Sequence, residues 1–150
     1  DSKLSNAKLR AYKNFANKIW NASKFVLMNT ADFDATKKPK LSAEQKKNLK
    51  ELTVIKKEVT KLMDDFKFYY AAEKIYHYFW HTFCDAIIEE SKALLADQKT
   101  RASTQSMLME ILLQSLKMLH PFMPFITEEI YQQLPITDKK ECLMIEGWPS

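Results

Sequence analysis

Two histidines and a cysteine share one face of a predicted helix in the middle of the chain. His77, His81 and Cys84 stand at positions i, i+4 and i+7, and Glu73 lies one turn earlier. Helices present metal ligands with this spacing. However, a fourth zinc ligand is missing unless Glu73 or Asp85 serves, and any helix face produces such spacings by chance. We therefore expect ordinary packed or surface histidines and no metal site.

Catalysis by the cysteine or by paired carboxylates is also disfavoured. A reactive thiolate needs a helix N-terminus or neighbouring cations to lower its pKa, whereas Cys84 falls within a helix interior. The pairs Glu89-Glu90 and Glu128-Glu129 are adjacent residues, about 100° apart around a helix, so their side chains diverge. We expect no catalytic residues in this chain, and we expect Cys84 to be a buried, unreactive thiol.

A third group of candidate functional residues lies along the first predicted helix. At about 100° per residue, four side chains fall into one narrow row away from the apolar seam, namely Asn14, Lys18, Asn21 and Phe25. The row is flanked by Arg10, Asn17, Lys24 and Met28. Proteins bind single-stranded nucleic acid with such side chains, because the ring stacks on a base, amides read its edge and cations hold phosphates. The alternative is that Phe25 packs against a neighbouring helix beside a solvated face, and the pattern alone favours this alternative.

The composition is that of a folded domain with an uneven distribution of charge. The 150 residues are 46% apolar and 28% charged, which is enough apolar material for one core. Gly147 is the only glycine, and this excludes phosphate-binding loops and dinucleotide fingerprints, which need glycines at set positions. Residues 1–75 carry 17 Lys/Arg against 9 Asp/Glu, whereas residues 76–150 carry 6 against 10. The first half is therefore the expected surface for a polyanion.

Cysteine usage and hydropathy indicate the cytoplasm. Cys84 and Cys142 are far apart, and no apolar segment leads the chain, so we expect neither a disulfide framework nor a signal peptide. Stretches without charge are well short of the roughly 18 residues that span a bilayer. We expect a cytoplasmic protein that does not bind membranes.

Helical periodicity predicts an all-α fold in a single domain over residues 1–150. We expect an antiparallel bundle of four long helices with a short C-terminal helix and an irregular tail. The predicted helices cover about residues 5–29, 42–66, 68–96, 98–119 and 124–134, and the tail covers 135–150. Ser42 and Gln45 form a capping-box pattern before the second helix, and Asp97 is a candidate cap for the fourth.

The apolar pattern predicts which side chains each helix buries. The expected buried face of the first helix contains Leu9, Tyr12, Ala16, Ile19 and Val26. The second helix has one stripe, Leu52, Ile55, Val59, Leu62 and Phe66. The third has the widest band, so we expect it to be the most buried helix; the band is Phe68, Tyr69, Ala72, Tyr76, Phe79, Trp80, Phe83, Ile87 and Leu94. In the tail, the apolar run 142–145 is a candidate strand that would pair with something outside the chain.

Several stretches of the sequence carry a resemblance to a known family. They are residues 14–29 (NFANKIWNASKFVLMN), 120–131 (HPFMPFITEEIY), 68–72 (FYYAA), 79–85 (FWHTFCD) and 90–92 (ESK). Together they resemble the anticodon-binding helical domain of valyl-tRNA synthetases, a class I aminoacyl-tRNA synthetase family, over nearly the whole chain. Isoleucyl, leucyl and methionyl enzymes share this type of domain, but residues 120–131 are most similar to the valyl group.

This resemblance implies a role in translation. In the family, the helix bundle receives the anticodon stem-loop of tRNA(Val), and a separate catalytic domain of the same parent chain activates valine with ATP and magnesium. The family's anticodon contacts fall on Lys18, Asn21, Lys24 and Phe25. The HIGH and KMSKS motifs of that catalytic domain do not occur here. We therefore expect a monomeric module of a valine–tRNA ligase that binds no cofactor and forms no valyl-adenylate by itself.

Some departures from the family pattern leave alternatives open. Lys24 stands where arginine is common, so a compact ammonium group replaces a planar guanidinium that can form two parallel hydrogen bonds. Tyr69 stands where a short acidic residue usually starts the central helix, and the second helix lacks a tryptophan–arginine pattern often found there. The alternatives are the same domain of an isoleucyl or leucyl enzyme, a helical interaction scaffold that does not bind RNA, and a metal or thiol enzyme.

Overall fold

The protein is all-α in a computed structural model that describes residues 2–136 and 138–149. The helices are α1 (Ser2–Asn29), α2 (Ala43–Asp64), α3 (Phe68–His77), a π-helical segment (Tyr78–Ile88), α4 (Glu89–Ala96), α5 (Gln98–Leu119), α6 (Pro124–Gln133) and α7 (Leu143–Glu146). These two ranges contain no β-strand. The predicted all-α class is confirmed. None of the helices described is long and apolar enough to cross a bilayer.

Residues 68–96 form one continuous rod, which we call the central helix. His77 and Glu89 keep right-handed helical angles at the two junctions, so α3, the π-helical segment and α4 follow one another without a break. Within the segment the buried residues come in the pairs 78–79, 83–84 and 87–88. This wider repeat follows from i→i+5 hydrogen bonding, which the sequence pattern did not predict.

The most buried helix is α5, and not the central helix as predicted. Twelve of the 22 residues of α5 are buried. It contacts α1, α2, α6, α7 and every part of the central helix. The central helix instead starts in solvent, because Phe68 and Tyr69 are both exposed. Burial on the central helix begins with Ala71 and Ile75, one to two turns later.

Local capping signals are confirmed at two helix starts. The backbone N–H of Gln45 donates to Ser42 Oγ at 3.1 Å, and the backbone N–H of Ser42 donates to Gln45 Oε1 at 3.0 Å. This reciprocal pair is the predicted capping box of α2. At the start of α5, the backbone N–H of Lys99 donates to Asp97 Oδ1 at 2.9 Å. These two helices begin within one residue of the predicted positions.

Three further side chains predicted to be buried lie at the surface for tertiary reasons. Leu9 and Tyr12 are each 52% exposed, because α1 extends beyond the helices on which it packs and residues 2–14 are all exposed. Phe66 is 80% exposed. The second helix ends at Asp64, and Phe66 adopts a left-handed backbone conformation (φ 59°) that takes it out of the apolar stripe.

The tail folds back onto the bundle, and the prediction of a strand at 142–145 is wrong. Most of that run lies in the short helix α7, which contacts α5 and α6. The backbone N–H of Leu143 donates to Glu128 Oε2 at 2.7 Å, and the Leu143 side chain is buried. Trp148 Nε1 donates to Thr60 Oγ1 at 2.7 Å and ties the end of the tail to α2. The bundle thus supplies backbone partners that a free strand would lack.

Candidate nucleic-acid interface

The helix α1 is a basic rod. It carries six Lys/Arg and no Asp/Glu along 28 residues. It is held in place on one side by five buried residues, Phe15, Ile19, Ala22, Ser23 and Val26. Because no carboxylate on this helix offsets its cations, its open side attracts a polyanion.

The predicted row of Asn14, Lys18, Asn21 and Phe25 lies on α1 beside the central helix. Its two asparagines are exposed, whereas Lys18 and Phe25 are partly buried. The rings of Phe15 and Trp80 stack at 6.3 Å between centroids with an interplanar angle of 17°, which fixes α1 against the π-helical segment. Lys18 and Phe25 of the row contact residues of the central helix, and we call the surface that the row shares with those residues the α1 groove.

Lys18 makes the best-defined contacts in this groove. Its Nζ lies 3.3 Å from Asp85 Oδ1 and 5.1 Å from the centroid of the Trp80 ring. The other oxygen of Asp85 lies 3.3 Å from His81 Nδ1. Both Lys18 and Asp85 remain partly open to solvent, and an exposed pair of this kind contributes only about 0–1 kcal/mol. A phosphate group can therefore replace Asp85 as the partner of Lys18 at small cost.

Phe25 occupies an intermediate environment. The ring packs against the hydrophobic core while part of its surface stays open, and Lys92 Nζ lies 5.9 Å from the ring centroid. The two sequence-based alternatives, base stacking and helix packing, are thus compatible, because core contacts hold the ring in place. A preordered ring loses little conformational entropy when a base stacks on it.

The flanking residues supply cations and amides that have few partners. Lys24 is exposed, and its Nζ lies 5.4 Å from the Trp20 ring centroid. Arg10 and Asn17 are exposed, as are the two asparagines of the row. Within residues 2–136 and 138–149, none of these four side chains makes a hydrogen bond or an ion pair. Their amides and guanidinium are therefore available to bases and phosphates.

The sequence did not identify the opposite wall of the groove. Trp80, His81 and Asp85 come from the π-helical segment, and Lys92 from α4. Trp80 was predicted only as a core residue, and the pairing of Lys18 with Asp85 joins positions 67 residues apart. The sequence marked His81 and Asp85 only as possible metal ligands, and the segment 79–85 only as part of the family resemblance; neither signal placed these residues opposite α1.

An ion-pair network anchors the end of α1. Arg101 on α5 donates to both carboxylate oxygens of Asp32, at 2.8 and 2.9 Å, and to the carbonyl of Leu95 at 2.9 Å. Gln105 Nε2 donates to the carbonyl of Asn29, the last residue of α1, at 2.8 Å. The hydrogen bonds from Arg101 lower the pKa of Asp32 to about 2. This network fixes the end of α1 that carries Phe25 relative to α4 and α5.

The alternative chemical site on the central helix does not assemble in the part of the chain that the structure describes. There, no group of three His, Cys, Asp or Glu side chains is arranged to hold a metal ion. Cys84 is buried, as predicted, and burial raises its pKa to about 12. A thiol that stays protonated at neutral pH is a poor nucleophile.

Comparison with known proteins supports a common origin for the whole chain. Residues 45–150 match the family model for the anticodon-binding domain of tRNA ligases. The chain is 44% identical to the valine–tRNA ligase of Thermotoga maritima over 149 residues, which are 99% of the chain. It is 40% identical to the valine–tRNA ligase of Pseudothermotoga lettingae over the same length. Over 155 residues it is 37% identical to the valine–tRNA ligase of Pelagibacter ubique. The chain spans 17 to 18% of the length of these relatives.

Proposed function

The chain belongs to the family of anticodon-binding domains of tRNA ligases, and on this premise we propose that it binds the anticodon stem-loop of tRNA(Val). The observation that carries the proposal is the acid-free basic helix α1, whose open row combines cations, free amides and one anchored ring. The family match covers residues 45–150, whereas the valine–tRNA ligase relatives extend over α1 as well. Their shared name favours tRNA(Val) over the isoleucine and leucine tRNAs.

In this proposal each side chain of the groove has a separate task. The open part of the Phe25 ring stacks on an anticodon base. Lys18 and Lys24 hold phosphates, and Arg10 extends the basic surface along the projecting part of α1. Asn21 reads the edge of the stacked base or of its neighbour, because an amide offers both a donor and an acceptor.

Asn14 and Asn17 lie one to two turns before Asn21 on α1 and serve adjacent nucleotides. A loop with several unstacked bases presents such edges in succession. The three asparagines thus give the groove a means of distinguishing bases that the lysines cannot provide.

The parent protein in this proposal is a cytoplasmic, ATP-dependent valine–tRNA ligase. The chain is a monomeric part of it, and a catalytic domain elsewhere in the parent chain binds ATP and magnesium. On its own, the chain catalyses no valine-dependent exchange of pyrophosphate into ATP. Its contribution to aminoacylation is to hold the anticodon arm.

The test is a fluorescence titration of a labelled tRNA(Val) anticodon stem-loop at several salt concentrations. We expect binding that weakens steeply with salt, because phosphate contacts release counterions. Stem-loops with valine, isoleucine and leucine anticodons, otherwise identical in sequence, are the matched ligands, and the valine loop should bind most tightly. Absence of binding at every salt concentration would contradict the proposal and support a helical scaffold.

A further inference from the structure

A second concave surface lies between α2 and the central helix. It encloses about 800 Å³, within the range of about 300–1,000 Å³ typical of ligand-binding clefts. We call it the α2 cleft. Its apolar side includes Ile55 and Leu62 of α2 and Tyr78 of the π-helical segment. The polar side chains of its wall all come from residues 67–82.

Three rings line this wall at one- to two-turn intervals. Tyr70, His77 and His81 all line the cleft, and all three are exposed. The rings of His77 and His81 lie 5.6 Å apart between centroids with an interplanar angle of 27°. Open rings in such a series are the surfaces on which single-stranded nucleic acids stack their bases.

One lysine of the cleft is available to a ligand that carries phosphate. Lys67 and Lys74 line it with one carboxylate, Glu73, and Lys74 also pairs with Glu58 of α2. Lys67 has no ion-pair partner among the described residues. A cation beside exposed rings suits a nucleotide, because the phosphate can contact the cation while the base stacks on a ring.

The hydroxyl of Tyr78 provides a buried polar group beside the cleft. It has no hydrogen-bond partner among the residues that the structure describes. Burial raises the pKa of this phenol, so the group stays protonated and remains a donor. A buried donor without a partner is costly, but this hydroxyl is covered by protein, so a base in the cleft would reach it only after the covering side chains moved.

The α2 cleft is continuous with the α1 groove. His81 lines the cleft, and its Nδ1 contacts the same Asp85 carboxylate that pairs with Lys18. The two surfaces therefore meet at one side chain. A strand that contacts Lys18 is therefore close to the cleft, since a series of contacts of 3.3, 3.3 and 5.6 Å leads from Lys18 through Asp85 and His81 to His77.

We infer that the α2 cleft receives an unstacked nucleobase from the same single-stranded RNA loop that binds to α1. The inference rests on the proposed function and adds a second base site to it. The base stacks on Tyr70 and His77, and its phosphate lies near Lys67. Continuity with the α1 groove favours an RNA loop over a separate peptide.

Neighbouring tyrosines provide a matched pair of variants for the test. Tyr70 lines the cleft and is 61% exposed, whereas Tyr69 is 73% exposed and does not line it. Tyr70→Ala should weaken binding of the tRNA(Val) anticodon stem-loop about fivefold or more, as the loss of a stacking ring does. The rings of Tyr69 and Tyr70 touch edge-on at 5.6 Å between centroids, but Tyr69→Ala keeps the Tyr70 ring and should change the affinity less than twofold. Because both side chains are largely exposed, both variants should keep the melting temperature of the parent chain.

Stem-loops with a single abasic nucleotide at each loop position identify the base. At one position the abasic loop should bind wild-type protein and Tyr70→Ala equally, because the lost contact is already absent. His77→Ala should give the same pattern, and it replaces Tyr70→Ala as the test if that variant melts early.

The outcomes separate this inference from the proposed function. If Phe25→Ala weakens binding but Tyr70→Ala and His77→Ala behave like Tyr69→Ala with every loop, the α2 cleft is not a base site and the α1 groove stands. If wild-type protein binds no stem-loop at any salt concentration, both proposals are overturned.

Discussion

Truncation of Phe25 to alanine tests whether its ring stacks on RNA as well as packing in the protein. A fully buried phenylalanine costs about 3–5 kcal/mol of folding free energy on truncation. Phe25 is only half-buried, so we expect about 2 kcal/mol, with a fall in melting temperature of about 4–8 °C for a domain of this size. The protein then remains folded at 25 °C, and its binding can be measured.

The expected loss of RNA affinity has a separate origin. Stacking of one base on an aromatic ring is worth about 1–3 kcal/mol, or roughly a 5- to 150-fold change in dissociation constant. The slope of log affinity against log salt should not change, since no phosphate contact is removed. The assay is a stem-loop titration at three salt concentrations, with melting measured on the same samples.

Leu27→Ala is the control for this experiment. Leu27 also lies on α1, is half-buried and packs against the same core. Its truncation should lower the melting temperature but leave RNA affinity unchanged, because the side chain lies outside the row. If Phe25→Ala loses stability and keeps wild-type affinity per folded molecule, the ring is structural and the stacking role is refuted.

The remaining predictions concern charge, base reading and pH. Lys18→Ala and Lys24→Ala should each flatten the salt slope by about one unit, and an unchanged slope would show that neither holds a phosphate. Asn21→Ala should reduce the preference for the valine loop over a loop with a changed anticodon base, at nearly constant salt slope. The pKa of Asp32 is about 2 in the folded chain against an ordinary 3.8, so its stabilising contribution is full above about pH 4 and is lost as pH falls through 2. Urea unfolding should therefore show a steeper loss of stability over this pH window in the parent chain than in Asp32→Asn, and equal losses would mean that the contact with Arg101 is not maintained in solution.

The helix starts that depend on local chemistry were predictable from sequence. The capping box of α2 and the Asp97 cap need residues only two or three positions apart, so the chain carries the whole signal within one turn. The burial of a side chain that depends on residues far away in the sequence was not predictable. The apolar spacing of Leu9 and Tyr12 continues the α1 seam, yet burial requires a second helix at that height, and no described helix reaches it.

The candidate site was predictable on one wall only. The spacing of Lys18, Asn21 and Phe25 places them together on any straight helix, whatever surrounds it. Trp80 and Asp85 reach the groove through a π-helical segment, in which i→i+5 hydrogen bonding changes the residue repeat. The α-helical period placed Trp80 in the buried band, whereas its ring is only partly buried and lies beside Lys18.

Asp85 determines how the free groove presents its charge. The carboxylate contacts both Lys18 on α1 and His81 at the edge of the α2 cleft. In the absence of RNA it therefore offsets the charge of Lys18, and a polyanion without further contacts gains little by displacing it. An RNA loop whose bases also stack on Phe25 and hydrogen-bond to Asn21 gains binding free energy from contacts that do not depend on its charge. In the proposed function, the pairing of Lys18 with Asp85 thus shifts the balance of binding from general phosphate attraction towards the bases of the loop.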